Sequence, residues 1–327
     1  MSLNLKQFGR ALWSGTLSLL LYFSGVFVFW TPLPLLYLSL KGKKTQWFAG
    51  LFSVVILATL FYLYVFPDFG KEAPLVPSHF QALGSGTLAY YMMIAFLLSF
   101  GIWKRWNLIQ LAATASLTVT AAVLTTLFLF QKFGVYDVWG FFHQILQDAG
   151  QMLDQIAQDT SRSHHAEELQ FIMQAKLGLG FLPKLIPAIL FTFTVFVVTI
   201  NIGILRLFYR VSKPLKWAGD FRRLQLPAVC VWALIFAGFG YFLDHYLLKM
   251  GWPKVVAVNL FISVAFVYFL QGLSIMAFFL KNYSLLFRFG IYGLVLFFFQ
   301  MMSLMVVGVG LADTWFDFRK LQKQKEA

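Results

Sequence analysis

Of 327 residues, 60% are hydrophobic and only 12% are charged, whereas a soluble domain carries charge on about a quarter of its residues; the chain reads as a polytopic membrane protein. Lys and Arg outnumber Asp and Glu by 26 to 13, but they cluster in short loops between apolar runs, the pattern of cytoplasmic loops and not of a nucleic-acid surface. The single cysteine, Cys230, lies inside an apolar run and excludes an intramolecular disulfide, a Cys-based metal cage and a CxxC redox pair.

The N-terminus starts basic, like a signal peptide, but its apolar stretch reaches Trp30 without a small-x-small cleavage site, so it reads as a retained helix. Requiring about 20 mostly apolar residues per crossing finds eight runs, near residues 11–30, 46–66, 86–103, 107–131, 185–207, 226–246, 254–280 and 289–312. Between the first two lies "TPLPLLYLSL" (31–40), about 15 Å of helix and too short to span alone; Pro32 and Pro34 set it apart as a half-helix or as a kinked continuation of the first helix. The predicted fold is all-α: a transmembrane helical bundle of about eight full crossings plus this short segment and an external insert. Its parts are N-terminal transmembrane helices over 1–132, the insert over 133–184, C-terminal transmembrane helices over 185–312 and a basic interfacial tail over 313–327.

Positive residues set the orientation. Lys41, Lys43 and Lys44, then Lys104 and Arg105, then Arg206, Arg210, Lys213, Lys216, Arg222 and Arg223, then Lys281 and Arg288 fall in every second loop, which should face the cytoplasm. One crossing per run then leaves the tail, with Arg319, Lys320, Lys323 and Lys325, on the outer side, against the same rule.

The external insert has a helical signature. Trp139, Phe142, Leu146, Ala149, Leu153 and Ile156 recur at spacings of three and four, with Gln147, Asp148, Gln151, Asp154, Gln155 and Gln158 on the other side. Asp137 is the expected N-cap, and "TSRSHH" (160–165) breaks the pattern before a second helix. In "HHAEE", His164 and Glu168 are four apart and His143 could approach, a set able to hold zinc; solvated His and Glu at a helix start are commoner, and no metal is expected.

No P-loop, GxSxG, HExxH or paired intramembrane carboxylates occur, so no catalytic residues, cofactor or enzymatic activity are expected. Polar side chains within the runs either join helices or line a pathway. Asn201, Asn259 and Gln271 are the ligand-lining candidates, Asn201 and Gln271 because each lies near a glycine, Gly203 or Gly272. Ala112, Ser116 and Thr120 repeat every four residues as a helix-packing face, able to pack within the bundle or dock another membrane protein. At the last exit, "GLADTWFDFRK" reads as an interfacial anchor, with Asp313, Asp317 and Arg319 meeting water and headgroups and Trp315 resting at the interface.

"FRRLQLPAVCVWALI" (221–235), Asn259, "YFLQGLSIMAFFL" (268–280) and the closing "GLADTWFDFRK" together resemble the YybS-like bacterial membrane proteins, a family with a domain of unknown function. That family is distantly similar to the substrate-binding S components of energy-coupling-factor vitamin transporters and to MreD-type morphogenesis proteins. The resemblance implies the bacterial cytoplasmic membrane and two functions: a transport-related bundle holding a small-molecule ligand, or a non-transporting scaffold or assembly protein acting through a membrane protein partner. The lipid bilayer is the one partner common to both.

Overall fold

A computed structural model describes residues 5–65, 78–134, 137–162, 172–174, 176, 178–208 and 220–320, and every regular element among them is helical. In chain order these are α1 (Leu5–Phe23), α2 (Leu33–Lys41), α3 (Lys44–Val65), α4 (Ser78–Trp103), α5 (Leu108–Lys132) and α6 (Val138–Arg162). They continue with α7 (Ile186–Phe208), α8 (Val229–Leu243), α9 (Trp252–Phe279), α10 (Leu285–Phe297) and α11 (Phe299–Phe316). Among the described residues, seven helical segments are long and apolar enough to cross a membrane: Lys44–Tyr64, Gly84–Trp103, Leu108–Lys132, Leu182–Leu207, Val229–Leu248, Trp252–Asn282 and Phe299–Phe316. The chain divides into two compact units, one of Met1–Val119, Phe193–Leu226 and Leu270–Ala327, the other of Thr120–Thr192 and Pro227–Phe269.

In the first unit, α1 packs against α2 and α3, and α2 also against α4. Small residues make the α1–α3 contact: Ala11, Ser14, Gly15 and Ser18 are buried, and a Cβ at Gly15 would stand 2.8 Å from the Gly50 carbonyl oxygen. With no hydrophobic drive between helices in lipid, such close backbone approach supplies the attraction. The apolar stretch at 11–30 is not one helix. It ends at Phe23 and turns at Gly25, whose φ of +68° suits glycine, before a 3₁₀ turn over Val28–Trp30. Proline in the first turn then starts α2, as the sequence predicts, and Leu35 and Leu36 of this nine-residue helix are fully buried.

The stretch at 289–312 is also two helices, broken at Phe298 (φ −98°, ψ 34°). Residues 297–299 are consecutive phenylalanines, which lose side-chain freedom in a helix and weaken it there. The 13 residues of α10 extend about 20 Å, short of the hydrocarbon thickness of about 30 Å. The run therefore keeps one candidate crossing, Phe299–Phe316, preceded by a short apolar helix, and the run without a candidate crossing among the described residues is the first, at 11–30.

In the second unit, α6 is amphipathic as expected and Asp137 caps it, its Oδ1 accepting from the Gly140 N–H at 2.9 Å. Gln147, Asp148, Gln151 and Asp154 are exposed and Leu146, Ala149 and Leu153 are half-buried. Asp154 also pairs with Lys176 at 2.7 Å, both about half exposed, an ion pair worth at most about 1 kcal/mol. After α8 a π-helical turn over Asp244–Leu248 leads to α9. Asp244 is buried there and accepts from the Met250 and Gly251 N–H groups at 3.0–3.1 Å, satisfying donors at the entry to α9.

Candidate functional site

All three carboxamides singled out by the sequence sit at interruptions of helical backbone. Asn201, fully buried in α7, donates from Nδ2 to the Phe29 carbonyl at 2.7 Å, in the turn that separates α1 from α2, and to Val197 O at 2.8 Å. Asn259 occupies a gap in the first turn of α7: its Oδ1 accepts from Ala188 N at 2.8 Å while its Nδ2 donates to Lys184 O at 2.7 Å. The amide thus stands in for the missing i to i−4 bond between those two residues. Gln271, fully buried in α9, accepts from Leu226 N at 3.0 Å and donates to Asp313 Oδ2 at 3.2 Å. An unpaired buried amide or carbonyl costs about 1–3 kcal/mol, and in lipid no water substitutes. Asn259 and Gln271 have both amide atoms engaged, whereas Asn201 Oδ1 is buried without a hydrogen-bond partner among the described residues; none of the three lines the cavity described below.

The anchor motif divides in the same way. Trp315 and Phe316 are exposed, but Asp313 is fully buried and Arg319 is 3% exposed. The chain reverses after α11 at Asp317 (φ +41°), and the Arg319 guanidinium returns under the helix end to Asp313 at 2.6 Å. Its Nη1 also donates to Ser274 Oγ at 2.7 Å and Arg222 O at 2.8 Å, its Nη2 to Leu224 O at 2.8 Å, and Asp313 Oδ1 accepts from Phe318 N at 3.0 Å. The pair therefore does not meet headgroups as expected. With Gln271 it closes the hydrogen bonds of the non-helical segment 224–226, whose backbone has no helix of its own.

This geometry also moves the tail. Arg319 reaches two carbonyls at the end of the most basic loop, so the exit of α11 lies beside that loop and not opposite it. The positive-inside rule then acts on both together. In a Cys230→Ser background, Lys104→Cys and Lys320→Cys are expected to react with a membrane-impermeant maleimide from the same side of the membrane. Labelling from opposite sides would restore the original register.

A cavity of about 540 Å³ opens in the second unit. The last turns of α5 contribute Leu124, Leu127, Phe128, Gln131 and Lys132; α6 adds Trp139 and Phe142; Pro183, Ile186 and Pro187 come from the entry to α7. Two hydrogen bonds of Gln131 hold α6 over this wall: its Oε1 accepts from Trp139 N at 3.3 Å and its Nε2 donates to Asp137 Oδ1 at 3.4 Å. Asn259 braces the opposite wall at Lys184 and Ala188. Ligand pockets run from about 300 to 1,000 Å³ with mostly apolar walls, so the size and lining suit a small apolar or amphiphilic molecule. The sequence signals are the two prolines four apart at the entry to α7, Pro183 and Pro187, and the amphipathic helix before them.

Of the predicted packing face, Ser116 is fully buried and Ala112 and Thr120 are half-buried. His164, Glu168, Lys323 and Lys325 lie outside the described residues. Among the described residues no group of three or more His, Cys, Asp or Glu is placed to hold a metal ion. No curated protein and no solved structure matches the chain, so the likeness to S components and MreD-type proteins rests on the sequence motifs alone. One family profile does match, over residues 73–314, about three quarters of the chain and inclusive of the cavity wall, Asn259, Gln271 and Asp313. The chain therefore belongs to the family described as "Predicted membrane protein (DUF2232)".

Proposed function

We propose that this membrane protein is transport-related and binds a small molecule in the cavity beneath α6. The cavity of about 540 Å³ carries the reading, together with the hydrogen bonds that fix its walls from α6 and α9. A solute rich in polar groups is disfavoured, because each group buried there without a partner costs about 1–3 kcal/mol, while each methylene taken from water gains about 0.8 kcal/mol. In purified full-length protein, a screen of metabolites, lipids and detergents is expected to yield a ligand-dependent rise in melting temperature, and Leu127→Trp, which fills the cavity, is expected to abolish it. A rise that survives Leu127→Trp in folded protein would place the ligand elsewhere and sink the reading.

The scaffold alternative draws on α5, where Ala113, Thr114, Leu117 and Thr118 are exposed and would let another membrane helix approach closely. Its test is a stable partner captured by crosslinking at Thr118 and lost in Thr118→Trp. Recovery of the uncrosslinked single chain alone would count against it.

A further inference from the structure

We propose that the ligand is an anionic amphiphile, its acyl chain in the cavity beneath α6 and its head group on Lys132; this rests on the ligand-binding reading above. Lys132 is the last and Leu182 the first residue of two segments long and apolar enough to cross a membrane, Leu108–Lys132 and Leu182–Leu207. The cavity mouth thus lies where hydrocarbon gives way to water, with its apolar wall continuing along α5 through Phe128, Leu127 and Leu124. Two polar residues line it, Gln131 and Lys132. The Gln131 amide is engaged in holding α6 through Trp139 N and Asp137, and the Asp137 carboxylate in turn accepts from Gly140 N as the cap of α6. Lys132 is exposed at the rim, within reach of a head group. A chain arriving from the bilayer gains little from the apolar wall, because lipid tails are as apolar as the side chains there. Selectivity therefore falls to the ammonium, which favours a carboxylate or phosphate over a neutral head.

The test uses full-length protein in phosphatidylcholine nanodiscs with three photoreactive probes of matched chain length: a fatty acid, the corresponding fatty alcohol, and a phosphatidylglycerol. Fatty-acid adducts are expected on residues 124–132 and on Trp139 or Phe142, at least fivefold above the alcohol. Lys132→Glu is expected to bring the acid down to the alcohol level, and Leu127→Trp to lower both at least tenfold; should Leu127→Trp fail to fold, Ile186→Phe narrows the same wall. Labelling by phosphatidylglycerol as well identifies a bilayer lipid as the source, and labelling by the acid alone identifies a free amphiphile; both support the anionic head. Equal labelling by acid and alcohol, indifferent to Lys132→Glu, overturns the head-group assignment and leaves the cavity reading intact. Labelling that persists in both cavity-filling variants overturns the cavity reading itself.

Discussion

Asp313→Ala is expected to produce the largest loss of stability of any single substitution in the C-terminal half. Removing the carboxylate leaves the Arg319 guanidinium buried without its counter-ion, and breaking a buried ion pair by deleting one partner costs about 3–5 kcal/mol. Gln271 Nε2 and Phe318 N lose their acceptor in the same step. Arg319→Met is damaging for a different reason, since it strips the Arg222 and Leu224 carbonyls of their donors. The double variant Asp313→Ala/Arg319→Met should be less destabilised than the sum of the singles, because each single leaves a charge that the double removes. Melting temperatures in detergent for the four proteins check this. Simple additivity would mean that the pair is not coupled in the folded state.

Gly272→Ala should follow in severity. A Cβ there would stand 2.1 Å from the Val306 carbonyl oxygen and 2.6 Å from Val306 Cγ1, so helix α11 must move as a backbone and not by a side-chain rotation. Overpacking of this kind costs about 1–3 kcal/mol or more, against a gain of up to about 1 kcal/mol from replacing glycine inside a helix. The steric effect wins. Gly203→Ala provides the contrast: nothing lies within 4 Å of its Cβ position, and only the propensity gain operates. Gly272→Ala is therefore expected to melt earlier than the unmodified protein and Gly203→Ala at the same temperature or higher. An unchanged Gly272→Ala would show that α9 and α11 do not pack this closely.

What the sequence disclosed and what it withheld follow from the range of each interaction. The short helix α2 was legible from Pro32 and Pro34, and α6 with its Asp137 cap from periodicity, because these signals act within a few residues. The breaks at Gly25 and Phe298 were not, since hydropathy registers apolar side chains and is blind to the backbone beneath them. The polar candidates are legible in the sequence, but their backbone partners are not. Gln271 meets a backbone group 45 residues away and Asn259 one 71 residues away, and no local pattern distinguishes such a brace from a ligand contact. The burial of Asp313 and Arg319 was hidden by the same distance, their other partners lying 42 and 97 residues off. The lining of the cavity is not legible in the sequence because three separate elements build it, each lending residues that look like ordinary membrane helix.

We propose a division of labour: polar side chains hold broken backbone together, and the apolar cavity beneath α6 takes the ligand. Photolabelling by the fatty-acid probe, counted per folded molecule in Gln271→Leu and Leu127→Trp side by side, tests it most directly. Gln271→Leu is expected to melt several degrees early yet label as the unmodified protein does, while Leu127→Trp melts normally and loses at least nine-tenths of its label. A folded Gln271→Leu protein that no longer labels, beside a Leu127→Trp protein that still does, would overturn this division.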